Sequence, residues 1–227
     1  MSNSEIPSVT PILTLRPFQP TDEDAVRVRI NEQLLRADYS TAIDGAALLA
    51  NLQHSSPPSV YAVRWQRHQC FCVWRAGMLE GLIDVAVGLD SDSYDLPDYS
   101  PLGLLRFFLL PVDEQRIPAV AELLLGAAER FWKQHRVAHI KAFHLSTGYP
   151  QFQGGLGALP GDWHAHIHVL TNANYQFTER FYALCRPLDQ PLEETMPVIG
   201  SQLVYLAKTP ISTINCIRQT ERVGGRR

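Results

Sequence analysis

Charge, paired cysteines and long apolar runs are all scarce in this 227-residue chain. Charged residues make up 19% and the net charge is −3, so the basic surface that coats nucleic acid is missing. The four cysteines, Cys70, Cys72, Cys185 and Cys216, form no C-x-x-C pair, and C-F-C is poor spacing for a metal or a disulfide. Reduced thiols follow as the expectation. No apolar run approaches the roughly 20 residues of a membrane-spanning helix. Met1 to Pro11 lacks the charged-then-apolar build of a signal peptide. A cytoplasmic protein without nucleic-acid or membrane partners is expected. No internal repeat is evident, and G-x-S-x-G, the mark of many serine hydrolases, does not occur. His164 and His168 share a helical face at i, i+4, which suits zinc. Ala165 stands where H-E-x-x-H has its glutamate, and no third ligand is near, so no metal is expected.

What is present is apolar and patterned. A hydrophobic fraction of 45% and this length are enough to bury a full core. Leu102–Leu110 (LGLLRFFLL) reads as a buried strand. Pro118 to His135 switches to helical spacing, with Val120, Leu124, Ala127 and Phe131 on one face and Glu122, Glu129 and Lys133 largely away from it. Val137–Leu145 returns to alternation. Strand, helix and strand in this order make a crossover that pairs the strands in parallel.

Upstream, residues 1–10 read as a flexible start. Ile12–Phe18 reads as a strand, Thr21-Asp-Glu-Asp24 as a capping box opening a helix through Val26, Ile30 and Leu34, and Ala42–Leu52 as a second helix. Tyr61 to Trp65, Cys70 to Trp74 and Leu79 to Val87 alternate as strands, with a turn at Ala76-Gly77. Leu89–Pro101 is an acidic, proline-containing loop. Downstream, residues 146–161 are glycine-rich, and Gly155-Leu-Gly157 lacks the preceding strand of a dinucleotide fingerprint; a mobile loop over a pocket is expected. Asp162–Asn172 reads as a short helix with Asp162 as its cap and Ile167, Leu170 and Thr171 along it. Gln176–Arg186 reads as a strand by its period of two, although Phe177, Phe181 and Cys185 also fit a helix. Ser201–Thr209 reads as the closing strand and residues 211–227 as a flexible tail.

The joint between Leu110 and the long helix carries the chemistry. Pro118 fits the first helical turn, so the amides of Ala119, Val120 and Ala121 are expected among the unpaired donors of a helix start. With the dipole behind them they favour an anion such as phosphate, and Arg116 adds a full charge.

Arg116-Ile-Pro-Ala-Val-Ala121, followed by Glu-Leu-Leu-Leu125, resembles the acyl-CoA-binding signature of the GCN5-related N-acetyltransferase (GNAT) superfamily, R-G-x-G-x-G/A before an apolar helix. Arg116 and Ala121 match; Ile117 and Ala119 stand where glycine is usual. Arg75-Ala-Gly-Met-Leu-Glu-Gly-Leu-Ile-Asp84 is similar to the family's second and third strands, and Leu170-Thr-Asn-Ala-Asn-Tyr175 to the end of its closing helix, with Asn174 for a glycine in the left-handed C-cap. The resemblance covers about Ile12 to Thr209. It implies an α/β fold with a mixed, partly parallel sheet flanked by helices, occupying residues 11–210. It implies that Arg116, Ile117, Ala119, Val120 and Ala121 hold the pyrophosphate of acetyl-CoA, and that Leu109 and Leu110 pair with its pantetheine arm.

The family's asparagine after the fifth strand falls near Gly148, and its general-acid tyrosine aligns with Leu170. Acyl transfer needs a deprotonated amine, a polarised thioester carbonyl and a protonated thiolate. His144, Glu80 and His164 are the candidate bases, and Tyr175 or Tyr182 the candidate acid. The expected activity is N-acyl transfer from acetyl-CoA to a small-molecule or protein amine, and a homodimer is admitted. A non-catalytic GNAT-like binding domain is the second reading, and an unrelated α/β enzyme with a phosphate-binding loop the third.

Overall fold

The computed structural model describes residues 12–53, 64–89, 101–144, 149–155, 157–183 and 211–219. Among the described residues eight strands form one mixed sheet in the order β1-β2-β3-β4-β5-β8-β6, with β7 also paired to β8. The strands are β1 (Leu13–Pro17), β2 (Arg64–Arg75), β3 (Met78–Leu89), β4 (Leu102–Leu109), β5 (His139–Ala142), β6 (Leu159–Pro160), β7 (Gln176–Ala183) and β8 (Ile211–Gln219). The helices are α1 (Glu23–Leu34), α2 (Gly45–Gln53), α3 (Ile117–Gln134) and α4 (His164–Asn172). Among the described residues no helix is long and apolar enough to cross a membrane.

β2 and β3 form a long hairpin closed by Ala76 at φ 49° and Gly77 at φ 78°. Two positive φ values in a two-residue turn match the twist of the flanking strands. Where two strands were expected before this turn, β2 runs unbroken from Arg64 to Arg75; Tyr61 and Val63 lie outside the described residues.

β4 is buried along all eight residues, as an apolar run with few polar positions predicts for a strand covered on both faces. It pairs antiparallel with β3 and parallel with β5, the expected crossover through α3. α3 turns Val120, Ala121, Leu124, Ala127, Ala128, Phe131 and Trp132 inward, a stripe at helical spacing.

The joint between β1 and α1 differs from the expected capping box. A 3-10 turn, Pro20–Asp22, precedes α1, and Asp22 rather than Thr21 organises it. Its carboxylate accepts the Gln19 N–H at 2.9 Å and both Arg16 guanidinium nitrogens at 2.6 and 2.7 Å. The fork is bidentate and strong, and it holds Asp22 below the usual carboxylate range, despite burial.

The C-terminal reading needs correction. Ser201–Thr209 lies outside the described residues, and Ile211–Gln219, expected as the start of a flexible tail, is strand β8. It pairs antiparallel with β5, β6 and β7. Its β-branched content (Ile211, Thr213, Ile214, Ile217) suits a pleated strand, and the terminal Gly-Gly-Arg-Arg obscured that signal. Residues 149–155 are likewise packed rather than mobile over a pocket. Tyr149 and Phe152 are fully buried, stacked on or edge-on to Phe107, and Phe152 stacks on Trp163.

Gly81 sets how closely α3 lies on the sheet. A Cβ there would meet Val120 Cγ1 at 2.7 Å and Leu109 O at 2.8 Å, and the backbone oxygen cannot swing aside. Gly81→Ala is therefore expected to cost about 1–3 kcal/mol, the range for overpacking a core. A urea denaturation midpoint checks this, and an unchanged midpoint would show that α3 rides up freely.

Candidate functional site

β4 parts from β5 half-way along. Their parallel pairing runs from Leu102↔His139 to Leu105↔Ala142 and stops. Phe143 takes φ 53°, its N–H donates to Leu105 O at 2.9 Å, and the chain turns away. Among the described residues, β4 continues to Leu109 paired with β3 alone. At the same place its pairing with β3 slips: Val85 faces Leu105 and Asp84 faces Phe107, so Arg106 is an extra, bulged residue. The free edge beyond it needs partners for its backbone groups. Phe108 O accepts from His166 Nε2 at 3.0 Å, and Leu110 O has Arg29 Nη2 at 3.5 Å.

This half-open strand runs into the start of α3. A 3-10 turn, Glu114–Arg116, leads directly into the helix. Asp113 O takes the Arg116 N–H at 3.0 Å, Glu114 O takes that of Ile117, and Pro118 has none. In a helix opening at Ile117, intrahelical bonding begins with the amide of the fourth residue, Val120. The expected trio of free donors therefore contracts to Ala119, which is exposed; Val120 and Ala121 are buried and within the helical ladder. Without glycines the segment winds into helix instead of standing open as a loop. Arg116 is engaged as well, by Glu80 at 2.5 Å and Asp113 at 2.7 Å.

Two hollows flank this joint. One of about 380 Å³ lies where the end of β4, the start of α3 and the start of α4 converge, bordered by Leu110, Ile117, Glu114, Trp163, His164 and His166. The other, about 610 Å³, lies between α1 and the β2–β3 turn and takes in Arg75, Glu80, Val112 and Arg116.

No protein-family model and no curated protein matches the sequence. Solved structures match over nearly the whole chain. An N-acetyltransferase from Staphylococcus aureus is 10% identical with a TM-score of 0.56, covering 92% of this chain and 98% of its own. Arabidopsis thaliana NAA60 in complex with acetyl-CoA gives 10%, 0.55, 92% and 98%. The putative acetyltransferase yncA of Salmonella typhimurium, with its cofactor acetyl-CoA, gives 12%, 0.54, 93% and 96%. The chain has the GNAT acetyltransferase fold.

Within the GNAT fold the predicted residues separate. Leu110, Ile117 and His164 border the smaller hollow, and Glu80 and Arg116 the larger. Glu80 is buried and bound by Arg75 at 2.7 Å as well as by Arg116. His144 lies two residues past the end of β5, with Lys141 Nζ 3.4 Å from its Nε2. Tyr175 is buried just past α4. Neither of these two borders either hollow, and the side chain of Tyr182 lies outside the described residues. Among the described residues no cluster suits a metal.

Two features escaped the sequence reading. In α4 the buried face is Trp163, His166 and Leu170, at i, i+3, i+7, whereas His164 and His168 are exposed and Thr171 faces out. Trp163, not Asp162, holds the N-cap position. Asn174 takes φ 63°, the left-handed geometry expected of it. Asking which helical stripe continues from Trp163 to Leu170 would have picked out His166. The second feature is the cluster around Arg106. Its Nη1 lies 3.0 Å from Asp84 Oδ2, 3.0 Å from Asn51 O and 3.2 Å from His68 Nε2. Tyr149 donates its hydroxyl to Asp84 at 2.8 Å, and His68 Nε2 contacts Asp84 Oδ1. Burial by itself would raise the Asp84 carboxyl, but Arg106 and His68 outweigh it and hold the group below the usual range. Burial, with Asp84 alongside, pushes Tyr149 well above its ordinary value. Asp84 offered no sequence signal, because its partners come from three other segments.

Burial drives His166 down to about 4, with the bond to Phe108 O offsetting only part. The unfolded chain takes up this proton near pH 6.5, and the folded one resists. Stability is thus fully present above about 6.5 and falls as pH drops towards 4, by up to roughly 3 kcal/mol. Depressed carboxylates such as Asp22 and Asp84 add stability that is present above about pH 4 and is lost as the pH falls further. His166→Gln is expected to flatten the curve between pH 7 and 4.5 in urea titrations. Equal slopes in parent and variant would sink the assignment.

Proposed function

We propose that the protein is an acyl-CoA-dependent N-acyltransferase, with acetyl-CoA as co-substrate and a small-molecule or protein amine as acceptor. One observation carries this reading: among the described residues, one edge of β4 beyond Leu105 has no strand beside it, and it leads into the hollow at the start of α3. An extended amide-bearing arm lies naturally along such an edge, exchanging main-chain hydrogen bonds. The structures of NAA60 and yncA with acetyl-CoA, on the same fold, support it.

The residues fit the coenzyme in part. Leu109 and Leu110 end the open edge, and the exposed Ala119 amide with the α3 dipole favours an anion. Arg116 is one-third exposed and would exchange a carboxylate for a phosphate. The acceptor amine must lose a proton and the thiolate gain one. His164, at the first turn of α4, is the histidine candidate that borders the hollow. Leu170, fully buried, cannot take the acid role its place in the fold would assign.

A second reading, a non-catalytic GNAT-like binding domain, is favoured by two contacts: His166 occupies the Phe108 carbonyl, and Glu80 with Asp113 holds Arg116.

Acetyl-CoA at a hundred times its dissociation constant is expected to stabilise the fold by about 2.7 kcal/mol. That corresponds to a melting midpoint raised by roughly 5–10 °C. No shift at millimolar ligand would leave the binding-domain reading. Ala119→Asp, at an exposed first-turn position where a helix welcomes a carboxylate, is expected to keep the fold and nearly abolish coenzyme binding. A calorimetric titration that found the variant binding like the parent would place the phosphate elsewhere.

A further inference from the structure

The bulge in β4 and the parting of β4 from β5 fall at one residue. Leu105 is the last residue paired with β5, Arg106 is the unpaired extra residue against β3, and Phe107 resumes the ladder opposite Asp84. A bulge of this kind is free to slide along a strand unless something pins it, because moving it one residue keeps nearly all the ladder bonds. A slide would also turn the residue passed over to the other face of the strand and change which residue of β4 is left unpaired.

Arg106 is pinned from three directions. Its side chain is 2% exposed and Asp84 is fully buried. The guanidinium reaches Asp84 on β3, the Asn51 carbonyl in α2 and His68 on β2, and it lies 5.4 Å over the Tyr149 ring. Asp84 in turn receives Tyr149 and His68. A buried ion pair of this sort seldom repays its desolvation in stability, and an apolar pair of similar volume is often as stable. What apolar side chains lack is directionality: they would fill the space without fixing which residue of β4 bulges.

We propose that the buried Asp84–Arg106 pair is a positioning device that fixes where β4 leaves β5, and with it the strand edge at Phe107–Leu109 that receives the acyl carrier's arm. The ligand half of this statement rests on the acyl-CoA reading; the register half does not. Arg106 and Asp84 themselves face away from water and act through the backbone of β4.

The test replaces the pair by apolar residues in the full chain, Asp84→Leu with Arg106→Met, and measures three quantities. These are the urea midpoint, the acetyl-CoA affinity, and amide exchange at Phe107–Leu109 with Leu104, on the other side of the bulge, as reference. The expected result is a folded protein whose Phe107–Leu109 amides exchange about tenfold faster relative to Leu104, and whose coenzyme affinity drops about tenfold. A double variant that matches the parent in both exchange and affinity overturns the proposal, since the pair would then be filling space only. If the double variant does not fold, Asp84→Asn, which keeps the shape and removes the charge, takes its place with the same expected exchange difference. Unchanged exchange there overturns the proposal equally. If the parent itself binds no acetyl-CoA, the acyl-CoA reading falls, and the exchange measurement alone supports or overturns the positioning role.

Discussion

A strand buried on both faces with a neighbour missing along half of one edge must find other partners for its backbone groups. Among the described residues β4 is in that position beyond Leu105, and much of the surrounding architecture answers it. The Phe143 amide turns in to cap Leu105 O, His166 reaches from α4 to Phe108 O, and Arg29 from α1 approaches Leu110 O. Each of these groups comes from a different element, so the open edge ties α1, α4 and the end of β5 to one strand. The same edge is what a ligand with amides of its own would use. A ligand bound there would compete with these internal contacts for the same atoms.

The joint after β4 shows that competition in electrostatic form. Arg116, the residue best placed to meet a phosphate, is shared by Glu80 and Asp113, and Glu80 is shared in turn by Arg75. The Asp113 contact is part-exposed and such pairs are individually weak, while Glu80 is buried between its two arginines. The buried cluster around Arg106 is of the other kind. Its groups are removed from water, and breaking one partner would strand the rest. The molecule thus keeps a part-exposed charge contact at the candidate site and a buried set behind it.

The GNAT topology explains why the two sets lie near each other. β3 carries Glu80 at one end and Asp84 four residues on, while Gly81 between them lets α3 settle against Leu109 O and Val120. Glu80, the extra residue of β3 between Leu79 and Gly81 in its pairing with β2, meets Arg116 at the start of α3, and Asp84 pairs with the residue after the bulge of β4.

By itself the sequence determined the parts governed by local periodicity and turn chemistry. The apolar run of β4, the helical stripe of α3, the parallel crossover, the Ala76-Gly77 turn and the left-handed Asn174 were all legible, because each depends on residues within a few positions of one another. Arg116 and its helix start were legible as a candidate anion site for the same reason. Tertiary structure alone decided what those groups meet. Glu80 became the partner of two arginines, Arg116 was engaged by two carboxylates, and the Phe108 carbonyl was met by His166 from α4. The Asp84–Arg106–His68–Tyr149 cluster joins positions up to 81 residues apart, and β8 lies beside β5 across more than 60 residues of chain. Pairings at such separations leave no local periodicity to read, since the free energy that selects them comes from burial and complementary charge once the chain has closed on itself.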